Sequence, residues 1–264
     1  MAHQTGNIRY MGSFKSIRHY KNRYDRRILA GEKGGADDDK IKNNPAFART
    51  RENMSEFKGC GEIVKAIRRG LLHLIPEHTD KSFTGRLVAL VKMINLRDEV
   101  GLRGKRGVYF SVNKAILKTL NLHENRKIDH QLKRSITRSH SASRTEATII
   151  LNGLNPEPSL IPVTAKYFRV LNHLSVISDF EYSEELKKYN PLSKNDAMSA
   201  YTYSDYIPVN TLLTGSVRAA FPEGTILAET DTVLQCVGIE FYSRLGSGEY
   251  LPFSAGTMLV LNVF

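Results

Sequence analysis

The chain is 264 residues long, 41% hydrophobic and 25% charged, with a formal net charge of +11, a balance that suits a folded soluble protein of one large or two modest domains. That charge is split: residues 1–145 carry 31 Lys and Arg against 14 Asp and Glu, a net +17, while residues 146–264 carry 7 against 13, a net −6. The longest apolar runs, such as 87–91, fall far short of a bilayer span, the stretch MAHQTGNIRYMG lacks the uninterrupted apolar core of a signal peptide, and two cysteines outside any CxxC pair speak against a disulfide framework or zinc cluster.

Residues 1–43 read as an extended basic arm with short strands. Apolar and basic positions alternate at Ile8 and Tyr10, at Ile17 and His19, and at Arg26, Ile28 and Ala30, between turns at Gly12, Gly31 and Gly34-Gly35. The segment is too small and too charged to own a core, so it must dock on its own body or on a neighbour. Asp37-Asp38-Asp39-Lys40 reads as a solvated linker.

Residues 44–138 read as a helical region. Asn44-Pro45 is an N-cap followed by a proline in the first turn. Phe57, Cys60, Val64, Ile67, Leu71 and Leu74 then form one apolar stripe on a long helix ending near Pro76. Gly59 and Gly61 weaken its middle and allow a kink or a close contact there. A second helix is predicted over 81–95, with Phe83, Leu87, Leu90, Val91 and Ile94 on one face, and a short third over 112–120. Between them, Gly101-Leu102-Arg103-Gly104-Lys105-Arg106-Gly107 is glycine-rich and basic but lacks the order of a phosphate-binding loop, and reads as a plain basic turn.

Residues 139–264 read as an antiparallel β-sandwich, which makes the fold class α+β. Strand runs are predicted over 147–151, 165–172, 175–182, 212–221, 232–242 and 257–264. Turns are predicted at Asn155-Pro156, Asn190-Pro191, Pro222-Glu223-Gly224 and Gly246-Ser247-Gly248. The last run ends on Phe264, so its strand either closes a sheet or leaves an edge for pairing.

No catalytic motif is present: HExxH, GxSxG and the phosphate-binding loop are all missing. His123 and His130 read as solvated surface residues, and the acids at Asp179-Glu181 and Glu184-Glu185 as a wet face. No catalytic, cofactor or metal residue is therefore assigned. The basic half offers contact residues instead. Arg9, Arg18, Arg23, Arg26 and Arg27 interleave with Tyr10 and Tyr20. Arginine with aromatic rings suits a nucleic-acid arm and equally a protein interface. Arg49, Arg51 and Glu56, on the first turns of the long helix, complete the set as residues of a subunit contact or of a local charge network.

The segment Asn44-Pro45-Ala46-Phe47-Ala48-Arg49-Thr50-Arg51-Glu52-Asn53-Met54-Ser55-Glu56-Phe57 resembles a [DN]PxFxRTRENxxEF motif in a group of uncharacterised Bacteroidota proteins of similar length. The likeness continues in Glu32-Lys33-Gly34-Gly35, in Ala165-Lys166-Tyr167-Phe168-Arg169-Val170 and in Gly238-Ile239-Glu240-Phe241-Tyr242 before the terminal strand. It implies a common architecture and brings no activity with it. This chain departs from the group at Met54, at Lys58-Gly59-Cys60 and in its extra basic residues around Arg103 to Arg138.

The expectation is a non-enzymatic, cytoplasmic structural protein whose partner is itself, assembling into a filament, tube or phage-tail-like array through heterologous contacts. The alternative is a nucleic-acid-binding protein using the basic half. No membrane partner, cofactor or small-molecule substrate is expected.

Overall fold

The computed structural model describes residues 2–6, 8–32, 34–71, 78–120, 122–123, 136–253 and 256–264. The fold is α+β, with several antiparallel sheets and, among the described residues, two substantial helices, and it divides into two units, Met1–Arg51 and Glu52–Phe264.

In the first unit the predicted short strands pair with each other. β1 (Ala2–His3), β2 (Gly12–Phe14), β3 (Ile17–Lys21) and β4 (Ile28–Glu32) form one antiparallel sheet in the order β1-β4-β3-β2. The Asp37–Lys40 stretch is not a linker. It opens the helix α1 (Asp38–Asn43), with the Asp37 carboxylate accepting from the Lys40 N–H at 2.9 Å. Asp38 and Asp39 in the first turn and Lys42 in the last complement the helix dipole, so the acidic run is a helix start. Asn44 caps the following 3-10 turn, Pro45–Phe47, by accepting from the Ala46 N–H.

The second unit is built around two long strands, β7 (Tyr167–Ser178) and β13 (Asp231–Arg244), antiparallel from Ser178↔Asp231 to Tyr167↔Tyr242. β10 (Ser199–Tyr203) and β11 (Ile207–Pro208) pair with β7. β14 (Tyr250–Pro252) and β15 (Thr257–Val263) pair with β13. A three-stranded sheet, ordered β12-β6-β5, comprises β5 (Ile136–His140), β6 (Glu146–Leu154) and β12 (Leu213–Ala220). The hairpin of β8 (Phe180–Ser183) and β9 (Lys188–Pro191) completes the strands described.

The two-residue period of the strands sorts the core. Leu171 and Ile177 of β7 and Leu234 and Cys236 of β13 share one cluster with the helices. These are α2 (Ala48–Gly70), through Cys60, Ile63, Val64 and Ile67 with Leu71 just past its end, and α3 (Phe83–Asn95), through Phe83, Leu87, Leu90, Val91 and Ile94. Phe168 and Val170 of β7 and Val237, Ile239 and Phe241 of β13 share another with Ile149 and Leu151 of β6 and Val217 of β12. The buried Asn172 side chain joins these sheets, donating to the carbonyls of Ala147 at 2.9 Å and Val217 at 3.0 Å and accepting from Gln235 at 3.1 Å.

The stripe predicted on α2 needs correction at its start: Phe57 is 61% exposed, while Ile63, outside the stripe, is fully buried. Leu74 and Pro76 lie outside the described residues. The third helix is the single turn α4 (Lys114–Leu117). The runs predicted at 165–172 and 175–182 are not separate, because His173 and Leu174 continue β7 without a break. Asn190-Pro191 is no turn either; it ends β9 in a two-stranded hairpin, where a proline is tolerated. Cys60 and Cys236 are both buried and free, and burial pushes their thiols up to about 11 and about 12.

Gly59 is a close-contact glycine. A Cβ there would stand 2.2 Å from two ring atoms of Tyr189, whereas a Cβ at Gly61 would meet nothing within 4 Å. Gly59→Ala is expected to destabilise by about 1–3 kcal/mol as the buried ring is displaced, outweighing the gain of about 1 kcal/mol in helix propensity. Gly61→Ala should keep that gain. Thermal melts of the two variants check this, and equal melting points would remove the packing role of Gly59.

Candidate functional site

In the first unit, Arg9, Tyr10, Arg18, Arg23, Arg26 and Arg27 are exposed and Tyr20 is half-buried. The β3 register puts Arg18 and Tyr20 on one face of the sheet and Ile17, His19 and Lys21 on the other. The Arg18 guanidinium stands 5.9 Å from the Tyr20 ring centre, and Arg27 pairs with Asp25 at 3.2 Å. Gln4 fixes the turn: its side chain accepts from the Tyr10 N–H at 2.9 Å, donates to the Tyr10 carbonyl at 3.2 Å and lies 2.6 Å from His19 Nδ1. Tyr10, Met11, Phe14 and His19 line a groove beside β2. The apolar side chains Ile8, Tyr10, Met11, Phe14 and Tyr24 are all exposed.

The three residues from the start of the long helix divide. Arg49 is exposed. Arg51 is committed locally, donating to the carbonyls of Ile41 at 2.8 Å and Asn44 at 2.9 Å. Glu56 is an interior residue, 2% exposed, and its assignment as a contact residue is corrected. It accepts from the Gly104 N–H at 2.9 Å and from Lys92, with Arg106 at 3.8 Å. The glycine-rich turn thus aims an amide inward at a carboxylate of its own chain. Asp98 takes three more, from Val100 at 3.0 Å, Gly101 at 2.9 Å and Gly107 at 2.7 Å. Burial works to raise the Asp98 carboxyl, and these amides together with Arg106 outweigh it and hold it below its ordinary value. Four amides of residues 100–107 are therefore spent on the Asp98 and Glu56 carboxylates.

A second charged cluster lies in the second unit. Glu240 of β13 and Arg169 of β7 are direct cross-strand partners. The Glu240 carboxylate accepts from Arg169 Nε at 3.1 Å and Nη2 at 3.0 Å, from His78 Nε2 at 3.1 Å, from the Tyr203 hydroxyl at 3.2 Å and from the Tyr242 hydroxyl. The Arg169 guanidinium lies 3.5 Å from the Tyr203 ring centre, 4.8 Å from Tyr242 and 5.2 Å from Tyr206. Burial alone would raise the Glu240 carboxyl. The donors from His78 and Tyr242 and the charge of Arg169 outweigh burial and hold it at about 2. These donors favour the charged form of the carboxylate. It anchors charge inside the sheet.

No spacing rule reaches this cluster, although both blocks that carry it belong to the stretches quoted for the Bacteroidota resemblance. The local signal is a single glutamate inside the otherwise uncharged run TVLQCVGIEFY. The acids read as a wet face also divide. Asp179 is buried and accepts from the Ser111 N–H at 2.9 Å and from the Ser111 hydroxyl, whereas Glu181, Glu184 and Glu185 are exposed. His123 is half-buried, and His130 lies outside the described residues. Among the described residues no group of three or more His, Cys, Asp or Glu is placed to hold a metal ion, and no helix is long and apolar enough to cross a membrane. No family model matches the chain, nor does any curated protein or solved structure.

Proposed function

We propose that this protein is a non-enzymatic structural subunit that assembles with copies of itself into a filament, tube or phage-tail-like array, with the first unit as the assembly element. One observation carries this reading. Among residues 3–51 whose burial is described, none is buried, although Ile8, Tyr10, Met11 and Phe14 are apolar. A four-stranded sheet needs a covered apolar face to be stable, and another subunit supplies the cover. β2, three residues long, is a sheet edge and offers strand pairing as well. A contact between unlike surfaces that does not close gives an open helical array. The sheets that pack together in the second unit are read as the sandwich of its body, and the two free thiols suit a cytoplasmic setting.

The charge split contributes less than the composition suggests. In residues 146–264, Asp179, Asp231 and Glu240 are buried and Glu146 and Asp196 half-buried, leaving eight exposed carboxylates against six exposed Lys and Arg. Apolar cover, more than head-to-tail attraction, holds the assembly. Deleting residues 1–40 is expected to leave a folded body that stays monomeric in sedimentation and shows no arrays in electron micrographs. Full-size assemblies of the truncated chain would end the proposal. In a salt series to about 1 M, where screening shortens to about 3 Å, preformed assemblies should persist while assembly slows.

Nucleic-acid binding is the second reading, favoured by the exposed arginines and by Arg18 beside Tyr20. It forecasts affinity falling steeply with log salt. A monomer at every salt concentration that binds DNA or RNA in this way would promote it.

A further inference from the structure

We propose that a groove between α2 and the β8–β9 hairpin binds a phosphate monoester dianion. The groove, about 360 Å³ in volume, is walled by Lys58 and Glu62 of the helix and by Tyr182, Lys187 and Lys188 of the hairpin. That volume takes a phosphate with a small organic group. Lys58, Lys187 and Lys188 are exposed, and none makes an ion pair among the described residues. Glu62 stands one helical turn beyond Lys58 and is not paired with it. Lys105, the fourth lysine of this face, is already matched: it bonds Glu184 and sits 5.6 Å from the Tyr182 ring centre.

Three lysines without ion pairs against one glutamate among the lining residues leave an excess of two positive charges, the complement of a phosphate monoester near neutral pH. Lysine binds phosphate as a point charge, which suits three flexible side chains arriving from two elements. Lys187 also holds a φ of 49°, a left-handed backbone that glycine and asparagine adopt more readily. The turn thus carries a cation where its geometry favours another residue. The glycine-rich turn at 101–107 is no competitor for the anion, because its inward amides are taken by Asp98 and Glu56. The inference stands apart from the assembly reading.

The test is calorimetric titration of the full-length protein at low ionic strength with inorganic phosphate, glycerol phosphate and adenosine monophosphate, and with glycerol as the neutral control. One phosphate compound per chain should bind and glycerol should not. Lys58→Ala and Lys187→Gly should each weaken binding about tenfold. Lys187→Gly is the decisive variant, because glycine accepts the backbone of that turn and the melting point should hold or rise while binding falls. Equal affinity for inorganic phosphate and for the esters assigns the site to the bare phosphate group. Tighter binding of an ester adds contacts from its organic part; both results support the proposal. No binding of any of the three at about 10 mM, which bounds Kd well above the millimolar range, would overturn it. So would binding undiminished in both variants.

Discussion

Arg169→Ala is expected to lower stability by about 3–5 kcal/mol, because it leaves the Glu240 carboxylate in the sheet without its cationic partner. Glu240 is 9% exposed and its two-pronged contact with Arg169 joins the two central strands. His78 and the hydroxyls of Tyr203 and Tyr242 still donate in the variant, which places the effect nearer the lower figure. Urea unfolding followed by far-ultraviolet circular dichroism measures it. Replacing both partners, as Arg169→Met with Glu240→Leu, should recover much of the loss, since no buried charge then lacks a partner. A loss below about 1 kcal/mol in Arg169→Ala would mean that the pair is no stronger than a surface ion pair.

The same pair sets a dependence on pH. Glu240 is held at about 2 from an ordinary 4.5, a gap worth roughly 3 kcal/mol. Its folded value is lowered, so this stabilisation is fully present above the ordinary value and is lost as pH falls from about 4.5 towards about 2. Burial acts the opposite way on Asp179 and Asp196, whose raised carboxyls stabilise the fold at low pH and lose that contribution as pH rises through their folded values. Those two groups are common to the wild type and to Arg169→Ala. The stability gap between the two proteins should therefore narrow as pH falls from about 5 to about 2. A constant gap over that range would assign the loss to packing alone.

Ile67→Asp is expected to unfold or aggregate the protein, at a cost of about 4 kcal/mol or more for a charge without a partner in the core. Ile67 is 1% exposed and belongs to the cluster shared by α2, α3 and the central sheet. Phe57→Asp on the same helix is the control. At 61% exposure Phe57 lies outside that core, beside Met93 and Leu96, and the change should stay within about 1 kcal/mol. A soluble, normally melting Ile67→Asp would take the stripe out of the core. An unfolded Phe57→Asp would restore the stripe as the periodicity drew it.

That pair of variants marks where local information stops. Helix α3 was legible in full, because Phe83, Leu87, Leu90, Val91 and Ile94 repeat at helical spacing and all are buried. On α2 the same spacing identified the helix but not the limits of its buried face. Whether Phe57 or Ile63 is covered depends on which strands and helices reach that turn, and periodicity carries no such information. The N-terminal strands were legible from alternation, and so was the lack of a private core, since Arg9, Arg18, Arg23, Arg26 and Arg27 leave too little apolar surface to bury. Of the candidate contact residues there, Arg9, Tyr10, Arg18, Arg23, Arg26 and Arg27 are exposed and Tyr20 is half-buried. Other elements needed the tertiary structure. Arg169 and Glu240 are distant in the chain and become neighbours only through the β7–β13 register. Asp179 and Glu181 look alike in sequence, yet the chain's return past Ser111 buries the first and leaves the second in water. The Gly101–Gly107 turn reads as a plain basic turn, and only the fold shows Asp98 and Glu56 occupying its amides. Local propensity and periodicity specify element type and composition-level charge; burial of a given polar group depends on long-range pairing, and that pairing decided which charges of this chain are structural and which remain free to meet a partner.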